Sequence, residues 1–470
     1  MVLSMDAVFA GRGGTGLSPW ETEEDARLAP EHSAAVRGPR PVTLETDQVY
    51  EVRHTWSDRS LTPRTTMTNT EIPMNAKPAG APARPVEEAA AEPAVSSLLG
   101  SAEFLDEVLV AVVSDVLGHP ARPKDWTVLS AGYEARSIAT GALLRIRGTT
   151  HGEEPWSIFV KILQSPRHWP LIDMVPPELR QGIIDTFPWR DEADILRSDL
   201  ADRLPPGLRT PRLLRVDDLG DDRLAMWLED ITPTDTPWDL ERFIRAARLL
   251  GRWAGRRRGD ATSAEMGART GSFLRELLAG PLTNMAFPRL RDDELWAHPL
   301  VAGAADPMLR ADLLTLAARV PDILDRLDAL PQTVGHGDAC PQNLLVPADA
   351  PDTFVAIDIS WQHPHPIGFD LGQLLVGLTD FGTLRPQDLP PIHAALIPAY
   401  RAGLLDEGYD ADPADITYGF DASMVVRSCF MVVPFERLTE PVTAELRETL
   451  AQRLSLTRYL ADIGLNLAAR

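Results

Sequence analysis

The stretch VGHGDACPQNLL (Val334–Leu345) sets His336, Asp338 and Asn343 between two apolar runs. A turn carboxylate such as Asp338 can accept a proton from a hydroxyl. A carboxamide oxygen such as that of Asn343, in the same turn, can ligate Mg2+. An ordinary polar turn between buried elements would look the same, so the neighbours must decide. Asp358 closes the apolar run TFVAIDIS (353–360), where a carboxylate is a hard oxygen ligand suited to Mg2+. Taken alone, it reads equally well as a turn aspartate capping the next segment. Upstream, Lys161 lies inside WSIFVKIL. Lys77, Lys124 and Lys161 are the only lysines among 46 Lys and Arg residues, so a lysine kept in an apolar run stands out. By itself it reads as a strand-end lysine that buries its stem and exposes its amine. Glu192 follows on WRDEADILRSDLADRL (189–204) and by itself reads as a solvated helix face. Together the two suit a phosphate site: the glutamate holds the ammonium charged, and the ammonium neutralises phosphate oxygens.

Position along the chain gives these residues a common frame. Residues 1–96 are rich in Pro, Gly, Ala, Thr and Glu, and AKPAGAPARPVEEAAAEPAV (76–95) reads as a Pro/Ala linker. This N-terminal extension is expected to be disordered or low-complexity, and Met67 and Met74 offer alternative starts. Residues 97–231 are expected to form a small β-rich lobe. Its elements are a helix over 103–118, strand, glycine turn and strand over 126–148, a strand over 155–163, an irregular segment with five prolines at 164–188, a helix over 189–204 and two short strands within 209–231. Residues 232–470 are expected to be mostly helical, beginning with a helix over 238–258 whose apolar face is Phe243, Ile244, Ala247, Leu250 and Ala254. Further helical pattern covers 272–279, 307–329, 387–407, 413–433 and 440–468. The predicted fold class is α+β, a β-rich N-lobe followed by a larger helical C-lobe. In chain order the parts are lysine, glutamate, a two-strand connection, H-G-D-x-x-x-x-N, and an apolar strand ending in aspartate. That order matches the parts phosphoryl transfer needs: phosphate clamp, clamp orienter, base and two metal ligands.

HGDACPQNLL resembles the catalytic loop of the aminoglycoside phosphotransferase and choline kinase-like family, a branch of the protein-kinase-like fold. AIDISWQHPHPIGFDLGQLL (356–375) resembles its metal-binding segment, and MWLEDI (226–231) its lobe connector, over a resemblance spanning roughly residues 100–460. The resemblance implies Asp338 as base, Asn343 and Asp358 as Mg2+ ligands, Lys161 on the α- and β-phosphates, and Glu192 as its partner. It implies that Glu229, Asp230 and Ile231 meet the nucleotide base, and that His336 and Asp370 brace the loop. It also implies ATP or GTP as co-substrate and a small hydroxyl-bearing acceptor, cationic amines included. The sequence departs from the family pattern in three places. The turn SAGYEARS (130–137) has one glycine, Ile359 stands where the family often has an aromatic residue, and Cys340 sits in the loop. A packing role is expected for Cys340, because thiol reactivity needs an electropositive setting.

The totals exclude other classes. A net charge of −22 argues against nucleic acid and anionic membrane as partners. No apolar run is long enough for a membrane span, and two cysteines suggest no disulfide framework, so the cytoplasm is the expected setting. The competing readings are a nucleotide-binding scaffold without transfer activity, and a protein kinase, which would need an activation segment after Asp358 for which there is little room. The acceptor is open. Asp415, Asp421 and Glu436 are candidate carboxylates for a cation, and each also reads as solvated surface.

Overall fold

The computed structural model describes residues 88–89, 99, 102–130, 137–175, 177–262 and 272–468. Most of the linker and both alternative starts lie outside these residues, as does most of the single-glycine turn. Within the N-terminal extension, β1 (Glu88–Ala89) pairs antiparallel with Ser130 and Leu129. The main sheet contains β1, β2 (Pro123–Ser130), β3 (Thr140–Thr150), β4 (Pro155–Gln164), β6 (Leu213–Gly220) and β7 (Arg223–Glu229), in the order β1-β2-β3-β4-β7-β6. The hairpin between β6 and β7 turns on Asp221 and Asp222, at φ 51° and 54°. Two consecutive positive-φ residues give the backbone twist that tight hairpins favour.

The alternation of β4 explains the burial of Lys161. Ile158, Val160 and Ile162 face a core built with the helix Ala102–Leu117. Phe159, Lys161 and Leu163 therefore point to the other face, where Leu163 and Phe159 pack with Ala193, Leu196 and Trp189. That face is covered by the segment carrying Glu192. The segment is two helices, Asp191–Arg197 and Leu200–Arg203, rather than one. Ser198 causes the break: its hydroxyl donates to Ile195 O at 2.6 Å and accepts from Leu200 N at 3.3 Å, competing with the helical ladder. The second helix turns away from the sheet. Leu200, Leu204 and Leu208 bury in the core of the helical lobe, and β5 (Leu208–Arg209) pairs parallel with β10 (Phe354–Ala356).

The proline-rich stretch 164–188 also holds more structure than expected. Pro177 opens an α-helix, Pro177–Thr186, at a position where its missing N–H costs nothing. In the helical lobe, Leu240–Arg256 is capped by Asp239, which accepts from Arg242 N at 2.8 Å. Ile244, expected on its buried face, is 36% exposed, while Trp253 is fully buried. This helix crosses Leu389–Asp406 at very close range: a Cβ on Gly251 would lie 2.1 Å from Tyr400 O, and one on Gly403 2.0 Å from Arg248 O. Only glycine at both positions allows that crossing.

Two short ladders set the loop. β8 (Gln332–Val334) enters it and pairs antiparallel with β11 (Pro364–Pro366). β9 (Leu344–Leu345) leaves it and pairs antiparallel with β10, Leu344 opposite Ala356. The strand expected over 353–360 stops at Ala356, two residues before Asp358. No helix among the described residues is long and apolar enough to cross a membrane.

Candidate functional site

Lys161 is 7% and Glu192 6% exposed, and the ammonium donates to Glu192 Oε2 at 2.6 Å. It also donates to Asp358 Oδ1, whose side chain is half-exposed. Burial pushes the ammonium down, but the Asp358 and Glu192 carboxylates outweigh it and hold Lys161 above the usual lysine range. Asp358 shows the same balance in reverse. Burial pushes it up, and Lys161 outweighs that and keeps the carboxyl below its ordinary range. The chain must turn sharply beyond β10 to aim this carboxylate, and Asp358 takes φ 55° to do so. Aspartate tolerates the left-handed region better than most residues, at a cost of roughly 1 kcal/mol.

The loop forms the second cluster. Asp370, at the start of the helix Asp370–Asp380, accepts from His336 N at 2.9 Å and from Gly337 N at 2.8 Å. Burial raises the Asp370 carboxyl above its ordinary range, and His336 and the two amides offset only part of that. Gly337 sits at φ 85°, and a Cβ there would come within 2.4 Å of Trp361 O, so the turn requires glycine. His336 is fully buried and edge-on to Trp253, and its Nδ1 accepts from Asp338 N at 3.2 Å. Asn343 Nδ2 donates to Asp338 O at 3.0 Å and to Asp338 Oδ2 at 3.2 Å, which leaves its amide oxygen as the free acceptor. Ile357 N donates to Asn343 O at 3.0 Å, tying the loop to the Asp358 segment. The two clusters are thus adjacent. Cys340, half-buried beside Gly377, has its thiol pushed well up by burial and by Asp338, so it is a poor nucleophile.

The connector side chains are engaged within the protein. Glu229 takes a two-pronged contact from Arg209, at 2.7 and 2.9 Å, and accepts from Arg212 N at 3.0 Å. Asp230 accepts from Arg145 Nε at 2.8 Å and from the Ser157 hydroxyl. Ile231 is half-buried. Partial burial pushes Glu229 up, but the Arg209 fork and the Arg212 amide outweigh it and hold the carboxyl low. A carboxyl lowered in the folded state stabilises above its unfolded value and loses that contribution as pH falls through its folded value. Glu229→Gln should therefore cost about 1 kcal/mol at neutral pH, a modest figure because the pair is partly exposed. The gap between wild type and variant should close on acidification through the lowered Glu229 range, below that of an ordinary glutamate. Thermal melts at neutral pH and in that acid range check this, and a gap of equal size at both would exclude the linkage.

Sequence reasoning missed Arg427, on the helix Pro413–Ser428. Its Nη2 donates to Asp338 Oδ1 at 2.6 Å and its Nη1 to Gly337 O at 3.1 Å. A signal existed, since Arg427 interrupts the apolar run SMVVRSCF as Lys161 interrupts its own. In a chain that uses arginine for nearly all its positive charge, that signal is easily lost. Of the acids considered for a cationic acceptor, Asp421 pairs with His393 at 2.7 Å and Asp415 lies in the first turn of the Arg427 helix. The Glu436 side chain lies outside the described residues.

Residues 188–412 match the model of the phosphotransferase enzyme family, a span that takes in Glu192, the connector, the loop and Asp358. A search of the curated proteins finds no match. Among solved structures, the chain is similar to an aminoglycoside phosphotransferase from Alicyclobacillus acidocaldarius, at 14% identity and TM-score 0.41, over 69% of this chain and 91% of that one. It is similar to an amicoumacin kinase in complex with AMP-PNP, Ca2+ and Ami, at 12% identity and TM-score 0.42, over 80% of this chain and 96% of that one. It is also similar to an ethanolamine kinase from Plasmodium vivax, at 9% identity and TM-score 0.40, over 76% of this chain and 87% of that one. The expected α+β class holds: a β-rich lobe precedes a helical lobe. The match over residues 188–412 takes in the loop and the Asp358 segment, so this part of the chain is similar to the phosphotransferase enzyme family.

Proposed function

We propose that the chain is a small-molecule kinase that transfers the γ-phosphoryl group of ATP or GTP to a substrate hydroxyl. One observation carries the reading: Lys161, Glu192 and Asp358 form one charged cluster, joined through the Ile357–Asn343 contact to the loop that presents Asp338. Lys161, held charged by two carboxylates, suits contact with the α- and β-phosphates. Glu229, Asp230 and Ile231 form the connector against which the base would lie. Glu229 and Asp230 spend their side chains on arginines, so their part in nucleotide binding would be through backbone groups.

Asp358 and the Asn343 amide oxygen supply two hard oxygen donors. Among the described residues, no group of three or more His, Cys, Asp or Glu side chains could hold a metal ion. A sparse oxygen set suits Mg2+, which keeps waters and takes phosphate oxygens as its remaining ligands. When bound, Mg2+ held by Asp358 and Asn343 would supply positive charge to neutralise the phosphate oxygens. Asp338 takes the hydroxyl proton as the acceptor oxygen bonds to the γ-phosphorus. The bond from that phosphorus to the β,γ-bridging oxygen breaks, and the nucleoside diphosphate leaves. Catalysis then rests on position and charge rather than on a covalent intermediate.

The test is nucleotide consumption by the purified protein with Mg2+ and ATP or GTP, screened against alcohol-bearing amines, antibiotics and sugars. Consumption that depends on one acceptor class, and stops on chelation of Mg2+, is the expected result. Tight nucleotide binding without consumption against any acceptor would instead favour a scaffold.

A further inference from the structure

The stretch Gly335–Leu345 contains neither lysine nor arginine. A positive charge nevertheless reaches its central carboxylate from a distant part of the chain. Arg427 donates to Asp338 Oδ1 at 2.6 Å and to Gly337 O at 3.1 Å, so one guanidinium grips both the acid and the backbone beside it. The guanidinium is itself held: its carbon lies 5.5 Å from the Phe273 ring centroid and 5.6 Å from that of Phe369, and the side chain is 10% exposed. Such a fork is a rigid, preorganised donor with little freedom left to lose. A buried ion pair is a weak source of stability, because desolvation offsets much of its Coulomb gain. The arrangement fits a geometric demand better. A base must meet its hydroxyl at hydrogen-bond distance, and a carboxylate free to rotate spends little time aimed. With Oδ1 taken by Arg427, Oδ2 holds, among the described residues, only the longer bond from Asn343 Nδ2, at 3.2 Å, and keeps capacity for a further donor.

We propose that Arg427 is a positioning residue for the transfer reaction, fixing Asp338 by Oδ1 so that Oδ2 receives the acceptor hydroxyl. The inference rests on the kinase reading above. Arg427 acts through Asp338, which makes the proton contact, and not on the substrate itself. It reaches the loop from the C-terminal side of the chain, well beyond Asp358.

The experiment uses the full chain with MgATP, water serving as acceptor where no better one has been found. Arg427→Met keeps the stem packed against Phe273 and Phe369 but removes the charge and the fork. It should lower kcat by about 10²-fold, the size of a misaligned group, with the KM for MgATP within about twofold of wild type, since binding and alignment are separate terms. Arg427→Lys should recover part of kcat, and added guanidinium should recover part of it in Arg427→Met. A purely structural role would lower the melting temperature and disturb nucleotide KM, and neither lysine nor guanidinium would restore kcat alone. If Arg427→Met fails to fold, Arg427→Gln keeps hydrogen-bond donors without charge and is read the same way. A consuming wild type, an inactive Asp338→Asn and a fully active Arg427→Met would overturn the positioning role and leave the kinase reading standing. A wild type that consumes no more nucleotide than Asp338→Asn removes the kinase reading, and the inference falls with it.

Discussion

Asp338→Ala is expected to lower turnover by on the order of 10²-fold or more, the usual worth of a general base, while nucleotide binding is retained. The retention follows from the layout. The charged cluster that would face the phosphates in the proposed reaction is Lys161, Glu192 and Asp358, and Asp338 is not a member of it. The loss follows from what Asp338 alone does in the proposed reaction, which is to take the hydroxyl proton. Alanine also leaves the Arg427 guanidinium without its carboxylate, so part of the effect could come from local rearrangement. Asp338→Asn separates the two. It keeps the size of the side chain and one oxygen for Arg427, but it cannot take the proton at neutral pH. Both variants should be inactive in steady-state turnover and should bind nucleotide normally by calorimetry. An active asparagine variant beside an inactive alanine variant would reduce Asp338 to a packing role.

Asp370→Ala should show its largest effect in stability. Asp370 is 5% exposed, and its two oxygens accept from His336 N and Gly337 N at 2.9 and 2.8 Å. Removing it leaves two buried backbone donors unpaired. At about 1–3 kcal/mol per unsatisfied donor, the cost is roughly 2–6 kcal/mol. Asparagine should be little better, because its amide group would set a donor against one of the two donors already there. The turn containing Gly337 positions both Asp338 and the Arg427 contact, so activity should fall with stability. Thermal melts and turnover of Asp370→Ala and Asp370→Asn, compared with a surface control such as Asp352→Ala, provide the measurement. A variant at Asp370 that melts like wild type would mean that solvent or a rearranged loop satisfies those amides.

The comparison of sequence with structure is clearest at Lys161 and Arg427. Both interrupt apolar runs and both are ion-paired to an acid of the site, Lys161 buried and Arg427 largely so. Lysine is rare in this chain, so its placement carried information. Arginine is common, so the same placement carried little. The helix over 189–204 shows a different limit. Its amphipathic pattern is real, but Ser198 offers its hydroxyl to the backbone and splits it, and periodicity is blind to a side chain that competes for main-chain bonds. Ile244 fits an apolar stripe and is still exposed, because the neighbours available determine which part of a stripe is covered.

The sequence by itself determined the two-lobe order, most of the long helices, the alternation that turns Lys161 away from the Ile158–Ile162 face, and the family to which the HGDACPQNLL loop points. These are local patterns, set by period, by turn chemistry and by residues whose type is unusual where they stand. The tertiary structure alone decided that Lys161 lies between Glu192 and Asp358, that β9 and β10 draw Asn343 toward Asp358, and that an arginine from a helix near the C-terminus holds the loop's central carboxylate. The physical reason is distance along the chain: pairing energies between residues far apart in sequence leave no period behind, and they exist only once the fold has brought the partners within a few ångströms.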